Sequence, residues 1–144
     1  MKNFNSRRVL FDTNILIDAV DATRPSSLAA CQALKYCNGG RDLGLTTAGS
    51  LKDAYYVLKK LYGENLARDA IKRLLDLLAI LPLETEACIM AASSSEPDFE
   101  DGLVRAAAEL NDVAFILTRD KSAFTYSRIK SITCEEYLAI VANE

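Results

Sequence analysis

Apolar residues along the chain fall into two alternating rhythms. The short, fully apolar run Val9-Leu10-Phe11 predicts a buried central strand, and further short strands are predicted at Leu43 to Thr46, Ile80-Leu81-Pro82-Leu83, Ala114-Phe115-Ile116-Leu117 and Ile129 to Thr133, with Pro82 marking an end or an edge position. Between them lie helical patterns. Thr13 to Val20 is capped by Asp12 or Thr13, and a second helix runs from Pro25-Ser26-Ser27 to Asn38-Gly39-Gly40. Ser50 to Leu61 carries Ala54, Val57, Leu58 and Leu61 on one stripe and stops at Gly63. Glu64 to Leu78 carries Ile71, Leu74, Leu75 and Leu78. Helices are also predicted over Glu84 to Ser93, Phe99 to Leu110 and Glu135 to Val141. Strands alternating with such helices predict an α/β fold, a three-layer α/β/α arrangement around a short parallel central sheet. No linker, repeat or low-complexity tract divides the 144 residues, so one domain over 1–144 is expected.

Composition narrows the chemistry. The chain has no histidine, which excludes Ser-His-Asp and Cys-His nucleophiles, histidine metal sites and imidazole acid–base catalysis. Seventeen Lys and Arg stand against 20 Asp and Glu, a net charge of −3 that advertises no nucleic-acid partner. Cys31, Cys37, Cys88 and Cys134 form no CxxC pair or zinc-like spacing and are expected to be buried or half-buried reduced thiols. There is no Gly-rich phosphate loop, no signal-peptide pattern and no membrane-length apolar stretch, so the cytoplasm is the expected location.

What remains is carboxylate chemistry. In open parallel sheets, sites form beyond the carboxyl ends of the strands. Two predicted strands run directly into an aspartate there: VLF into Asp12, and FILT with Arg119 into Asp120. Asp98, Glu100 and Asp101 cluster at a helix start, and Asp53 lies in the first half of the Ser50–Leu61 helix. Carboxylates gathered at one crevice repel one another unless cations occupy it, and Mg2+ or Mn2+ take oxygen ligands without imidazole.

These residues resemble the PIN-domain ribonucleases, including the VapC-type toxins. Leu10-Phe11-Asp12-Thr13-Asn14-Ile15-Leu16-Ile17-Asp18 is similar to the opening motif, Asp98-Phe99-Glu100-Asp101-Gly102-Leu103 to the third, and Leu117-Thr118-Arg119-Asp120-Lys121 to the fourth. Asp53 stands where the family usually carries a glutamate, one methylene shorter, and Gly102 where alanine is common, a change expected to loosen the helix start. The resemblance implies an acidic quartet of Asp12, Asp53, Asp101 and Asp120, with Asp98, Glu100, Asn14 and Thr118 auxiliary. Asp12, Asp101 and Asp120 would hold Mg2+ or Mn2+ with help from Asp53, and the activity would be hydrolysis of RNA phosphodiester bonds. Phosphates would be met by Arg119 and Lys121, with Arg7, Arg8, Lys52 and Arg128 as further candidates. A small antitoxin partner and a homodimer follow from the same resemblance.

Each residue also has a purely structural reading. Asp12 is a possible helix cap and Asp120 a possible turn residue. Asp98 suits an N-cap, with Asp101 three residues on, placed well for the helix dipole and for an i,i+4 pair with Arg105. Glu100 is a first-turn acid, and Asp53 flanks its apolar stripe, where it would be solvated or ion-paired. Asp18 and Asp21 read as surface charges, Lys59-Lys60 as a solvated face, and Tyr55, Tyr56 and Tyr62 as core or partner contacts. Two other functions compete: a PIN-like binding module with weakened catalysis, acting through dimerisation or a protein partner, and a phosphatase or phosphoacceptor using Asp12. The second is poorly supported, because Asn14 stands where a second acid is wanted.

Overall fold

The computed structural model describes residues 6–144. Five strands, β1 (Arg7–Phe11), β2 (Asp42–Thr47), β3 (Ala79–Leu81), β4 (Phe115–Leu117) and β5 (Lys130–Ile132), form one sheet in the order β3-β2-β1-β4-β5. Every pairing is parallel, with Leu10 opposite Leu45 on one side and Ile116 on the other. Among the described residues six helices connect the strands, α1 (Thr13–Val20), α2 (Ser27–Asn38), α3 (Ala48–Tyr62), α4 (Glu64–Leu77), α5 (Thr85–Ala92) and α6 (Phe99–Leu110), and α7 (Cys134–Ala142) follows β5. The expected three-layer α/β/α architecture is the observed one, and a short 3-10 turn over Lys121–Phe124 adds an element the apolar pattern does not predict.

Pleating sends successive β1 side chains to opposite faces. Val9 and Phe11 enter a core built with α1, α2, α3, α4 and α7, whereas Leu10 enters a second core with Val104, Ala107 and Ala108 of α6 and Phe124. This explains why the VLF run is apolar throughout: β1 is central and covered on both sides. The sheet grows one way from β1 to β2 and β3, and the other way to β4 and β5. The order therefore reverses between β1 and β4, and a crevice opens beyond their carboxyl ends.

Several details differ from the sequence expectations. Asp18 and Asp21 are buried, not surface charges: α1 is covered on the side that carries them, and each has arginine partners. Cys88 is exposed on α5, while Cys37 and Cys134 are buried and Cys31 is half-buried. Leu61 and Leu75 are exposed, because α3 and α4 pack mainly through Ala54, Leu58, Ala67, Ala70 and Leu74. Gly102 does not loosen α6. A Cβ there would sit 2.8 Å from Ser94 Oγ and 3.0 Å from the Ala91 carbonyl oxygen, so the glycine permits close packing of α6 on α5. No helix among the described residues is long and apolar enough to cross a membrane.

Candidate active site

Asp12 follows β1 directly and caps α1. Its backbone N–H donates to the Leu117 carbonyl at 3.0 Å, extending the β1–β4 ladder by one step. Its Oδ1 accepts from the Thr13 N–H at 2.8 Å, and its Oδ2 accepts from Thr118 Oγ1 at 2.9 Å. Thr118 Oγ1 in turn accepts the Asp120 N–H at 3.0 Å, so one buried hydroxyl ties the two strand-end aspartates together. The structural role of Asp12 as a cap and its place at the crevice coexist. Burial pushes its carboxyl up; the Thr118 and Thr13 hydrogen bonds oppose this, and the charges of Asp120 and Asp98 reinforce it.

The first turn of α6 supplies the facing wall. Asp98 is its N-cap and accepts from the Asp101 N–H at 2.8 Å. Asp101 does not pair with Arg105, whose guanidinium is held instead by Glu96 at 2.6 Å and Glu109 at 3.4 Å. Asp101 is pushed up to about 7 by burial and by the charges of Asp98, Asp12 and Asp120. Glu100 is also raised, chiefly by the charge of Asp53 across the gap, then by burial and Asp98.

A cavity of about 450 Å³ lies between these elements, with Asp12, Asn14, Asp53, Glu100 and Asp101 in its wall. Asp98, Thr118 and Asp120 stand outside that lining. Asp120 is exposed, its Oδ1 accepting from Ser122 Oγ at 2.6 Å. Asp53 is half-buried and paired with Lys52 at 3.2 Å. Sequence reasoning did not single out Thr47 and Ser50, which also line the cavity; Thr47 Oγ1 caps α3 by accepting the Ser50 N–H at 3.0 Å. The Thr46-Thr47 pair closing an apolar strand just before a helix is the signal that points to them.

Arg119 and Lys121, expected to meet phosphate, have partners within the chain. Arg119 holds buried Asp18 through Nε at 2.7 Å and Nη2 at 3.3 Å, anchoring the loop that carries Thr118 and Asp120 to α1. Lys121 pairs with Glu136 at 2.8 Å.

Charge sorting is the site's distinguishing property. Buried Asp18, Asp21, Asp42 and Glu96 each have an arginine within ion-pair distance. Among the described residues, Asp12, Asp98, Asp101 and Asp120 have none, and each of Asp12 and Asp101 is raised by the others' charge. The donors are all oxygen, which suits a hard divalent cation. No three acids or thiols among the described residues converge tightly enough to enclose an ion by themselves.

A profile of the PIN domain matches residues 8–122. Ribonuclease VapC1 of Aquifex aeolicus is 30% identical over 138 residues, 92% of this chain and 94% of its own length. Among solved structures, VapC20 of Mycobacterium tuberculosis, a Sarcin-Ricin loop cleaving toxin, superposes with a TM-score of 0.68 at 15% identity, over 84% of this chain and 98% of that one. VapBC2 of Rickettsia felis, bound to a DNA fragment from its promoter, gives a TM-score of 0.68 at 12% identity, over 88% and 98%. These two likenesses concern the fold. Matched by the domain profile over most of its length and by a relative along nearly all of its sequence, the chain belongs to the PIN-domain family, in its VapC-type branch.

Proposed function

We propose that this protein is a divalent-cation-dependent endoribonuclease that hydrolyses RNA phosphodiester bonds in the acidic crevice, and the toxin of a toxin–antitoxin pair. The observation that carries the reading is the set of acids without cationic partners at the β1–β4 switch point. The names of its relatives, a ribonuclease and a loop-cleaving toxin, agree with it.

Asp12, Asp101 and Asp120 would hold Mg2+ or Mn2+, with Asp53 reaching the ion directly or through water. When bound, such an ion acidifies water at neutral pH and offsets charge building on the leaving oxygen. The chain's own part is positioning. Thr118 and the Thr13 N–H fix both oxygens of Asp12, so that carboxylate needs little reorganisation. Asp98 locks the first turn of α6 and with it the backbone of Asp101. Asn14 lines the cavity with an uncharged amide able to orient water or a phosphate oxygen. A homodimer, and a small antitoxin occupying the crevice, belong to the same proposal.

Cleavage of RNA in Mn2+ or Mg2+ tests the reading. Activity should vanish in EDTA and fall by about 100-fold or more in Asp12→Asn, the scale of losing a main electrostatic group. Activity that survives both changes refutes it. The rival reading, a binding module with weakened catalysis, draws on the short Asp53 side chain held by Lys52. Calorimetric titration with Mn2+ separates the two: no metal binding favours the module, and metal-dependent cleavage ends it.

A further inference from the structure

We propose that the cleft between α3 and α4 is the track on which a single-stranded RNA backbone lies as it leaves the acidic crevice; this rests on the ribonuclease reading above. The crevice repels a polyanion, because Asp12, Asp53, Glu100 and Asp101 all face it. A strand must therefore be gripped by cations nearby.

Five of the six basic residues that flank the acidic motifs pair with groups outside the acidic cavity, whereas Lys52 pairs with Asp53 in its wall. Arg7 holds Asp42 and Glu144, Arg8 the Asn111 carbonyl, Arg119 Asp18, Lys121 Glu136, and Arg128 Asp112 together with the Glu109 carbonyl. The sixth, Lys52, lines the acidic cavity, and it lines a second cleft as well.

That second cleft, about 520 Å³, is walled by Leu51, Lys52, Tyr55, Arg68, Ile71 and Lys72: three cations, an aromatic ring, two aliphatic side chains and no carboxylate. Because Lys52 belongs to both, its Nζ lying 3.2 Å from Asp53 Oδ1, the cationic cleft begins where the acidic crevice ends. Lys52 and Arg68 are 76% and 72% exposed along their side chains, within reach of a ligand. Arg68 engages Glu64 through Nε at 2.8 Å and not through its terminal nitrogens. Lys72 is exposed and has no ion pair among the described residues. The Tyr55 hydroxyl donates to Glu64, which fixes the ring beside the cations. Cations tracking a backbone beside an aromatic face are the elements of sequence-tolerant single-strand binding.

The test is fluorescence anisotropy with a labelled single-stranded oligoribonucleotide of about 10 nucleotides, within the usual site size. The full chain is titrated in EDTA, so that the strand stays uncut. Arg68→Ala/Lys72→Ala is expected to raise Kd about tenfold and to make the log Kd–log salt slope shallower by about 1.4, two single-strand phosphate contacts. Lys72→Glu should weaken binding further, and Lys130→Ala, on the edge strand β5, should change nothing. Circular dichroism checks that the variants fold; all three sites are exposed. Unchanged affinity and slope in the double variant overturn the proposal, as does an equal loss in Lys130→Ala, or tighter binding of a polyglutamate peptide than of RNA. Parallel Mn2+ assays keep the two readings apart. Wild-type cleavage with unchanged variant binding overturns the cleft alone. Loss of binding in the variant, with a wild type that cuts no RNA, supports the cleft and refutes the nuclease.

Discussion

Replacing Asp101 with asparagine should stabilise the metal-free protein at alkaline pH while abolishing activity. The carboxyl is raised from an ordinary 3.8 to about 7 by burial and by the charges of Asp98, Asp12 and Asp120. The folded protein therefore binds the Asp101 proton more tightly than the unfolded chain does. Stability falls as pH rises from about 4 through 7, and the penalty is complete above that. Three pH units correspond to at most about 4 kcal/mol. Asp101 is only half-buried, so solvent screening reduces this to about 1–2 kcal/mol. A carboxylate at a helix N-terminus also gains about 0.3–1 kcal/mol from the dipole, which asparagine forgoes. A net gain of about 1 kcal/mol remains, worth about 3–4 °C for a chain of this size. Thermal unfolding followed by circular dichroism in EDTA should show the variant melting higher at pH 8 and level with wild type near pH 4. Mn2+ at pH 8 should raise the wild-type Tm more than the variant's. A variant that melts at or below wild type at pH 8 in EDTA refutes the claim that Asp101 sits in an uncompensated negative field.

Thr118→Val removes the hydroxyl that donates to Asp12 and accepts from the Asp120 N–H, and should cost about 1–3 kcal/mol in urea unfolding, with Thr118→Ser restoring most of it. Gly102→Ala places a Cβ 3.0 Å from the Ala91 carbonyl oxygen and 3.1 Å from its Cα, so it should destabilise by about 1–3 kcal/mol through displacement of α6 from α5; a Tm equal to wild type counts against that close approach.

The fold was legible because its signals are local and agree. The uninterrupted apolar run Val9-Leu10-Phe11 marks β1 as central, and Asp12, Gly63 and Asp98 punctuate the helices where their side chains or backbone require. The 3-10 turn at 121–124 was not legible, since four residues give no periodicity to read. The exposure of Leu61 and Leu75 depends on how two helices meet, which an apolar stripe on one helix cannot specify. The role of Gly102 lies likewise outside its own helix, in the neighbouring one, where Ala91 leaves no room for a methyl group. The acids at the strand ends were legible by position. Their partners were not, because Asp18 meets Arg119 across 101 residues and Asp42 meets Arg7 across 35.

Those partners decide which acids have chemistry to do. A buried charge that loses its partner costs about 3–5 kcal/mol, and the chain satisfies this rule for Asp18, Asp21, Asp42 and Glu96, each with an arginine. Asp12 breaks it: 8% exposed, it has only a hydroxyl and an amide as donors, and like charges around it. Helix capping does not account for the charge, since asparagine caps equally well without it. Nor does the net charge of −3, because arginines in the same chain neutralise other acids close by and leave this group alone. A carboxylate that folding would prefer neutral, facing an open cavity with three like-charged neighbours, is what the proposed cation would account for, a positive ligand that the polypeptide does not itself supply.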